Sequence, residues 1–359
     1  MKKFNVGWGL TNSCNMNCQF CYSKQTRCRI NEKKLVDWIK FIDQNHQHID
    51  SINYGTGENS LINDFFYLVK YIRENYPNIK QAVTSNGYLS EAIKRNPEFE
   101  TIFIQGIDEV DVSLDFANQE KHNLFRGQPN AYKWALNLLQ LLKNTNKTAT
   151  IVFIGCEQTL KQDNIDGLFK IAKEYGAMLR MNIYRPVSTE SAINDKFIVS
   201  YPTLTNALEY IEKNYEVISL NDSLFSAIYL NERFEDNTGI NSIRILPDGS
   251  ICPSTYLISE NYRNKNNICN ENVLSKISFD NFAEEIIPTQ CENCKYKDLC
   301  KGGVKDRRIL WNGTLTKRDP YCPCENNCEF PTMTINSTKN KRISVHDGYL
   351  PTIFFKNKD

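Results

Sequence analysis

Three cysteines, Cys14, Cys18 and Cys21, fall within eight residues in the pattern C-x3-C-x2-C, just after the apolar run Phe4 to Leu10. Thiolates are soft ligands suited to iron–sulfur clusters and zinc. A four-iron cubane takes four ligands. A loop that supplies three leaves one iron open to a substrate or cofactor. Zinc sites show paired C-x2-4-C spacings and four ligands, so zinc here needs a ligand from a distance. A disulfide with a spare thiol needs an oxidising compartment. The basic start Met1-Lys2-Lys3 leads into no small-residue cleavage pattern, which excludes a secretory signal.

Thirteen cysteines in 359 residues are many for a cytoplasmic protein, the location expected here. Five lie before residue 160 and eight after residue 250, a clustering that points to metal centres. Lys+Arg and Asp+Glu nearly cancel, at 43 and 42, so no net field argues for nucleic acid or an anionic membrane. No apolar run reaches the ~18 residues of a membrane helix. The length allows one large domain or two of ordinary size.

Periodicity divides the first half into repeating units. Strands are expected at Phe4 to Leu10, Ile49 to Tyr54, Gln81 to Thr84, Val110 to Leu114, Thr148 to Ile154 and Leu179 to Tyr184. Amphipathic helices fall between them, as at Glu32 to Ile42, Leu61 to Ile72, Ala131 to Leu142 and Ile165 to Tyr175. Such alternation implies parallel βα units, and six of them make a partial barrel. Barrel chemistry gathers at the C-terminal ends of the strands. The cysteine loop, Gly55-Thr56-Gly57-Glu58 and Ser85-Asn86-Gly87 all fall there. Cys28 and Cys156 lack metal spacing, and Cys156 reads as core.

The cysteine spacing, with the aromatic Phe20 before the third cysteine, resembles the signature of the radical S-adenosylmethionine (SAM) enzymes. That resemblance implies that Cys14, Cys18 and Cys21 hold a 4Fe-4S cluster and that SAM chelates its open iron. Cleavage of SAM by one electron then gives a 5′-deoxyadenosyl radical. The Gly55-Thr56-Gly57-Glu58 segment matches a family motif that grips the amino group of SAM, with Thr56 and Asn59 replacing a Gly and a Pro. Ser113-Leu114-Asp115 resembles a family Ser-Leu-Asp, with Ser113 on the ribose or carboxylate. Arg126, before Gly127, would pair the methionine carboxylate or else be a surface residue. Ser85 and Asn86 are placed at the ribose, and Asn182 and Ile183 at the adenine.

Later in the chain, Asp248-Gly249 between apolar runs signals a hairpin leading to Cys252. Cys269, Cys291, Cys294, Cys300, Cys322, Cys324 and Cys328 follow. Cys291-x2-Cys294 alone is also a zinc knuckle by spacing. The block Cys291 to Cys322 resembles the SPASM extension of radical SAM enzymes, with Val304 where a cysteine belongs. It implies an auxiliary cluster on Cys291, Cys294, Cys300 and Cys322. A second one is expected on Cys252 and Cys269, with Cys324 or Cys328 replacing the missing ligand. The organisation expected is a partial (β/α)6 TIM-type barrel at 1–190, a bridge at 191–241, a SPASM domain at 242–330 and a tail at 331–359.

In this subclass the substrate is a peptide or protein side chain. The resemblance therefore implies maturation of a ribosomally made peptide by crosslinking, thioether formation or epimerisation. An electron donor such as flavodoxin or ferredoxin is implied too. Only thirteen residues precede Cys14, so leader recognition is expected from the tail, the core surface or another protein. Activation of sulfatases is an alternative, disfavoured because Asn270 stands where those relatives carry an Asp base. Chemistry on a small molecule, and a zinc-stabilised binding module without redox chemistry, are the others. No catalytic acid or base is identified, and His46, His48, His122 and His346 form no ligand pattern.

Overall fold

The structure, a computed structural model, describes residues 2–26, 32–331, 335, 344–348 and 350–358. Cys28 and Tyr349 lie outside these. The six expected strands are present: β1 (Phe4–Trp8), β2 (Ile49–Tyr54), β3 (Lys80–Ser85), β4 (Glu109–Ser113), β5 (Thr148–Gly155) and β6 (Met178–Ile183). They pair in parallel and in sequence order. The helices between them include α1 (Leu35–Asn45), α2 (Asn63–Asn75), α3 (Leu89–Arg95), α4 (Pro97–Gly106), α5 (Gln119–Arg126), α6 (Ala131–Asn144) and α7 (Gln162–Tyr175). Periodicity missed α3, α4 and α5, whose patterns are short.

Side chains alternate across a strand, and here the two faces differ in kind. Ile52, Val83, Val110, Val112, Ile151, Phe153, Leu179 and Met181 join the main hydrophobic core, with Phe65, Leu68, Leu138 and Leu168 from the helices. Burial at about 25 cal/mol per Å² of apolar area is what fixes this face. The intervening positions, Asn53, Thr84, Ser113, Arg180 and Asn182, face an internal cavity.

Four more strands extend the sheet to ten, in the order β7-β10-β6-β5-β4-β3-β2-β1-β8-β9. They are β7 (Glu216–Asn221), β8 (Ser242–Ile245), β9 (Ile251–Cys252) and β10 (Thr352–Lys356). β8 runs parallel beside β1 and turns into antiparallel β9 through Asp248-Gly249, where Gly249 has φ +83°. β10 lies antiparallel between β6 and β7. Thus the bridging, cysteine-rich and tail segments each contribute strands to the same sheet. Among the described residues, no helix is long and apolar enough to cross a membrane.

Candidate active site

The cysteine loop leaves β1 at the C-terminal end of the sheet. Its three thiols line one cavity with about 1160 Å³ of atom-free space, part of it open to solvent. Phe20 lines it too and is wedged against Phe125 and Phe197, with ring centroids 4.6 and 5.6 Å away. The Arg126 guanidinium lies 5.1 Å from the Phe20 ring.

The thiols feel one another. Burial pushes Cys18 up to about 11; Arg126 opposes this, and Cys21, Asp115 and Cys14 add to it. A positive or electrophilic group among the three would relieve that cost, which is the chemistry of an iron–sulfur ligand set. Asn86 Nδ2 donates toward Cys14 Sγ at 3.8 Å and to Asn15 Oδ1 at 2.8 Å. Cys21 Sγ is 3.1 Å from Ser23 Oγ. Among the described residues, no three Cys, His, Asp or Glu side chains close around a point as ligands of a single ion do.

The segment after β2 approaches this loop through its backbone. Gly57 has φ +61°, and a Cβ there would stand 2.4 Å from Ser13 O and 2.6 Å from Thr11 O. Thr56 has φ +81°, a costly conformation for a β-branched residue. Its hydroxyl reaches Tyr22 Oη at 3.2 Å. Gly55, Thr56 and Gly57 all line the cavity.

Glu58, expected to accept from the ammonium group of a cofactor, is not among the residues that line the cavity. It is 1% exposed. It accepts from Ser60 Oγ at 2.7 Å, Ser85 Oγ at 3.0 Å and Asn86 N at 2.8 Å. Burial raises its pKa against these bonds, which lower it. Ser85 is likewise drawn behind the wall by Glu58 and by accepting from Gly87 N at 3.1 Å. Both residues brace the loop that presents Asn86. The other residues expected at the cofactor, Asn86, Ser113, Arg126, Asn182 and Ile183, do line the cavity. Arg126 ends α5, where Gly127 takes φ +63°, and its Nε donates to Asp115 Oδ2 at 2.6 Å.

Sequence reasoning missed part of the wall. Arg180, Arg185, Arg244, Tyr256 and His346 line the same cavity. His346 comes from the tail, and its Nε2 lies 2.8 Å from Asp111 Oδ2. Arg180 pairs with the same oxygen. A signal existed for two of them: Arg180 and Arg244 are lone charges inside apolar strands, Leu179-Arg180-Met181 and Ile243-Arg244-Ile245, as is Asp111, the partner of Arg180. Nothing in sequence marked His346.

Cys291, Cys294, Cys300 and Cys322 line a second, small cavity with Arg318 and Phe330. Burial pushes Cys300 up to about 11 and Cys322 up to about 12; Arg318 counters this at Cys322 and Cys291. Cys324 is close enough to influence both Cys291 and Cys322. Cys328 is exposed, and with Cys322 and Cys324 it acts on Tyr201. Cys252 is wholly buried against Leu246 and Ile258. Burial pushes it up to about 12, and the charges acting on it are Arg263, Asp248 and Arg244, none of them a thiol. Cys269 is exposed. Cys324 acts on Cys291 and Cys322. Val304 is fully buried, its amide donating to Asp319 Oδ2 at 3.0 Å.

Residues 8–166 match the model of the radical SAM superfamily. The mycofactocin maturase of Mycolicibacterium smegmatis is 24% identical over 334 residues, spanning 88% of this chain and 81% of that protein. The sporulation killing factor maturation protein of Bacillus subtilis is 26% identical over 166 residues, 46% of this chain and 38% of that protein. SuiB of Streptococcus suis, solved with S-adenosylmethionine, has a TM-score of 0.68 at 18% identity, covering 89% of this chain and 77% of SuiB. SuiB has also been solved with the precursor peptide SuiA, at a TM-score of 0.64 and 16% identity over 89% of this chain and 76% of SuiB. The likeness to SuiB shows a shared fold.

Proposed function

From the premise that residues 8–166 are a radical SAM domain, we propose that this chain is a radical SAM enzyme that matures a ribosomally made peptide. The observation that carries this is the convergence of Cys14, Cys18 and Cys21 with five strand-end segments on one cavity. Two relatives bear maturase names, and a structural neighbour holds a precursor peptide. These support a peptide as substrate.

Cys14, Cys18 and Cys21 would hold a 4Fe-4S cluster, which when bound with SAM supplies the electron that yields a 5′-deoxyadenosyl radical. This chain's own residues bind, orient and shield. The backbone of Gly55 to Gly57 meets the amino group, and Arg126, fixed by Asp115, meets the carboxylate. Ser113 and Asn86 serve the ribose, and Asn182 and Ile183 the adenine. Glu58 and Ser85 hold the Asn86 loop in place. Phe20 and its aromatic neighbours exclude water from the cluster side.

Cys291, Cys294, Cys300 and Cys322 are assigned one auxiliary 4Fe-4S cluster, with Arg318 offsetting thiolate charge. Cys252 is assigned the role of a buried thiol. A flavodoxin or ferredoxin supplies electrons, and the reaction is placed in the cytoplasm, where the described cysteines stay reduced. Anaerobic reconstitution with iron and sulfide, then dithionite and SAM, should release 5′-deoxyadenosine. Replacing Cys14, Cys18 and Cys21 together by Ala should abolish release while the auxiliary iron remains. Release by the triple variant would remove the cluster from that loop.

A further inference from the structure

The cavity wall has a one-sided charge pattern. Arg126, Arg180, Arg185, Arg244 and His346 line it, and no Asp or Glu is among the described residues that do. The matching carboxylates stand behind the wall. Asp115 holds Arg126, Asp111 holds Arg180, and Asp306 holds Arg185 at 2.8 Å. Each pair is thus a fixed dipole whose positive end borders the cavity, and oriented groups of this kind favour an anion.

Arg180 has capacity left over. Its Nη2 donates to Asp111 Oδ2, while among the described residues Nε and Nη1 have no hydrogen-bond partner, and the residue is 1% exposed. Asp111 cannot cover them by turning, because Oδ2 is also held by His346 Nε2 at 2.8 Å and approached by Thr84 Oγ1 at 3.5 Å. The Phe354 ring of β10, 6.0 Å from the guanidinium, backs it on the sheet. A buried guanidinium with unused N–H groups fits a carboxylate oxygen, and charge-assisted bonds of this kind are the strong ones.

We propose that the substrate enters this chamber with a carboxylate, either a peptide C-terminus or an Asp or Glu side chain, and that Arg180 anchors it. This rests on the radical SAM reading above, in which Arg126 is taken by the cofactor's own carboxylate and Arg180 remains for the substrate. The neutral wall residues Thr84, Asn53 and Leu350 would then contact the adjoining part of the peptide.

The test uses the reconstituted holoenzyme with SAM at about 0.15 M salt, where surface charge is screened beyond ~8 Å. The probes are four pools of random hexapeptides, with free or amidated C-termini and with or without Asp and Glu. Retained peptides are identified by mass spectrometry. Wild type should retain carboxylate-bearing pools about tenfold over the amidated, acid-free pool, the worth of one charge-assisted bond. Preference for free C-termini alone identifies the terminus; preference for acidic amidated peptides identifies a side chain; both support the anchor. Equal retention of all four pools by wild type overturns it, and so does a preference that survives in folded Arg180→Gln. Should Arg180→Gln not fold, the wild-type comparison decides alone. 5′-Deoxyadenosine release by wild type, measured without peptide, separates the two levels. Its absence overturns the enzymatic reading, whereas release without carboxylate preference overturns only the anchor.

Discussion

Replacing Glu58 by Ala should loosen the cavity wall from behind. The carboxylate accepts from three donors, Asn86 N, Ser85 Oγ and Ser60 Oγ. The hydroxyls can rotate toward other acceptors, but the Asn86 amide cannot. A buried donor left unsatisfied costs about 1–3 kcal/mol, and a bond to a charged group contributes about 1.5–3 kcal/mol. Removing the buried charge refunds part of this, since burial disfavours the ionised group. The net local loss for Glu58→Ala is about 2–4 kcal/mol, or roughly 30- to 900-fold in opening equilibrium. Glu58→Gln keeps one acceptor for Asn86 N while the two hydroxyls reverse to accept, so it should cost about 1 kcal/mol. Hydrogen exchange on the folded holoenzyme, followed at Asn86, reads this directly. The pH dependence has a definite sign. The folded pKa of Glu58 is raised above 4.5, so its favourable contribution is full below the unfolded value and is lost as pH rises through the folded one. The gap between wild type and Glu58→Gln should therefore be wider at pH 5 than at pH 7.5. Unchanged Asn86 protection in Glu58→Ala would refute the bracing role and return Glu58 to the cofactor.

Three further outcomes are expected. Cys252→Ala with Cys269→Ala should leave iron unchanged at about eight per chain, two cubanes' worth; a loss of about four irons would restore a second auxiliary cluster. Gly57→Ala should weaken SAM binding by about tenfold or more, measured by titration, because the new Cβ meets Ser13 O and Thr11 O; wild-type affinity would show that this backbone does not position the site. Asp111→Asn leaves Arg180 buried without its carboxylate, at about 3–5 kcal/mol, and should lower the melting temperature. Burial raises the Asp111 pKa, but Arg180 and His346 outweigh that and hold it below 3.8, so the wild-type advantage should shrink as pH falls through the folded value; a constant gap would refute the pairing.

Much of the molecule was legible because it is local. The first six strands and four of the helices between them announce themselves by periodicity, whereas β7 and β10 did not, and three thiols within eight residues can only meet at one place. The Asp248-Gly249 hairpin was likewise written in two residues. What was not legible depends on residues far apart. Glu58 looks like a ligand-facing acid in its own segment, and Ser85 and Asn86, 27 and 28 residues on, join Ser60 in holding it inward. Arg180 and His346 converge on Asp111 from 69 residues later and from the tail.

The position of β10 has a consequence for how the chain is made. β6 and β7 never pair with each other; a segment encoded after every other strand slips between them. At about 5–20 residues per second of synthesis, the stretch from Ile183 to Thr352 takes roughly ten to thirty seconds to emerge. Throughout that time the edge of β6 shows unpaired amides and carbonyls, the kind of edge that captures wrong strands. The turn bearing His346 also arrives only then, so the barrel stands without that part of its lining. The final strand therefore closes the last part of the cavity wall only when synthesis has reached it.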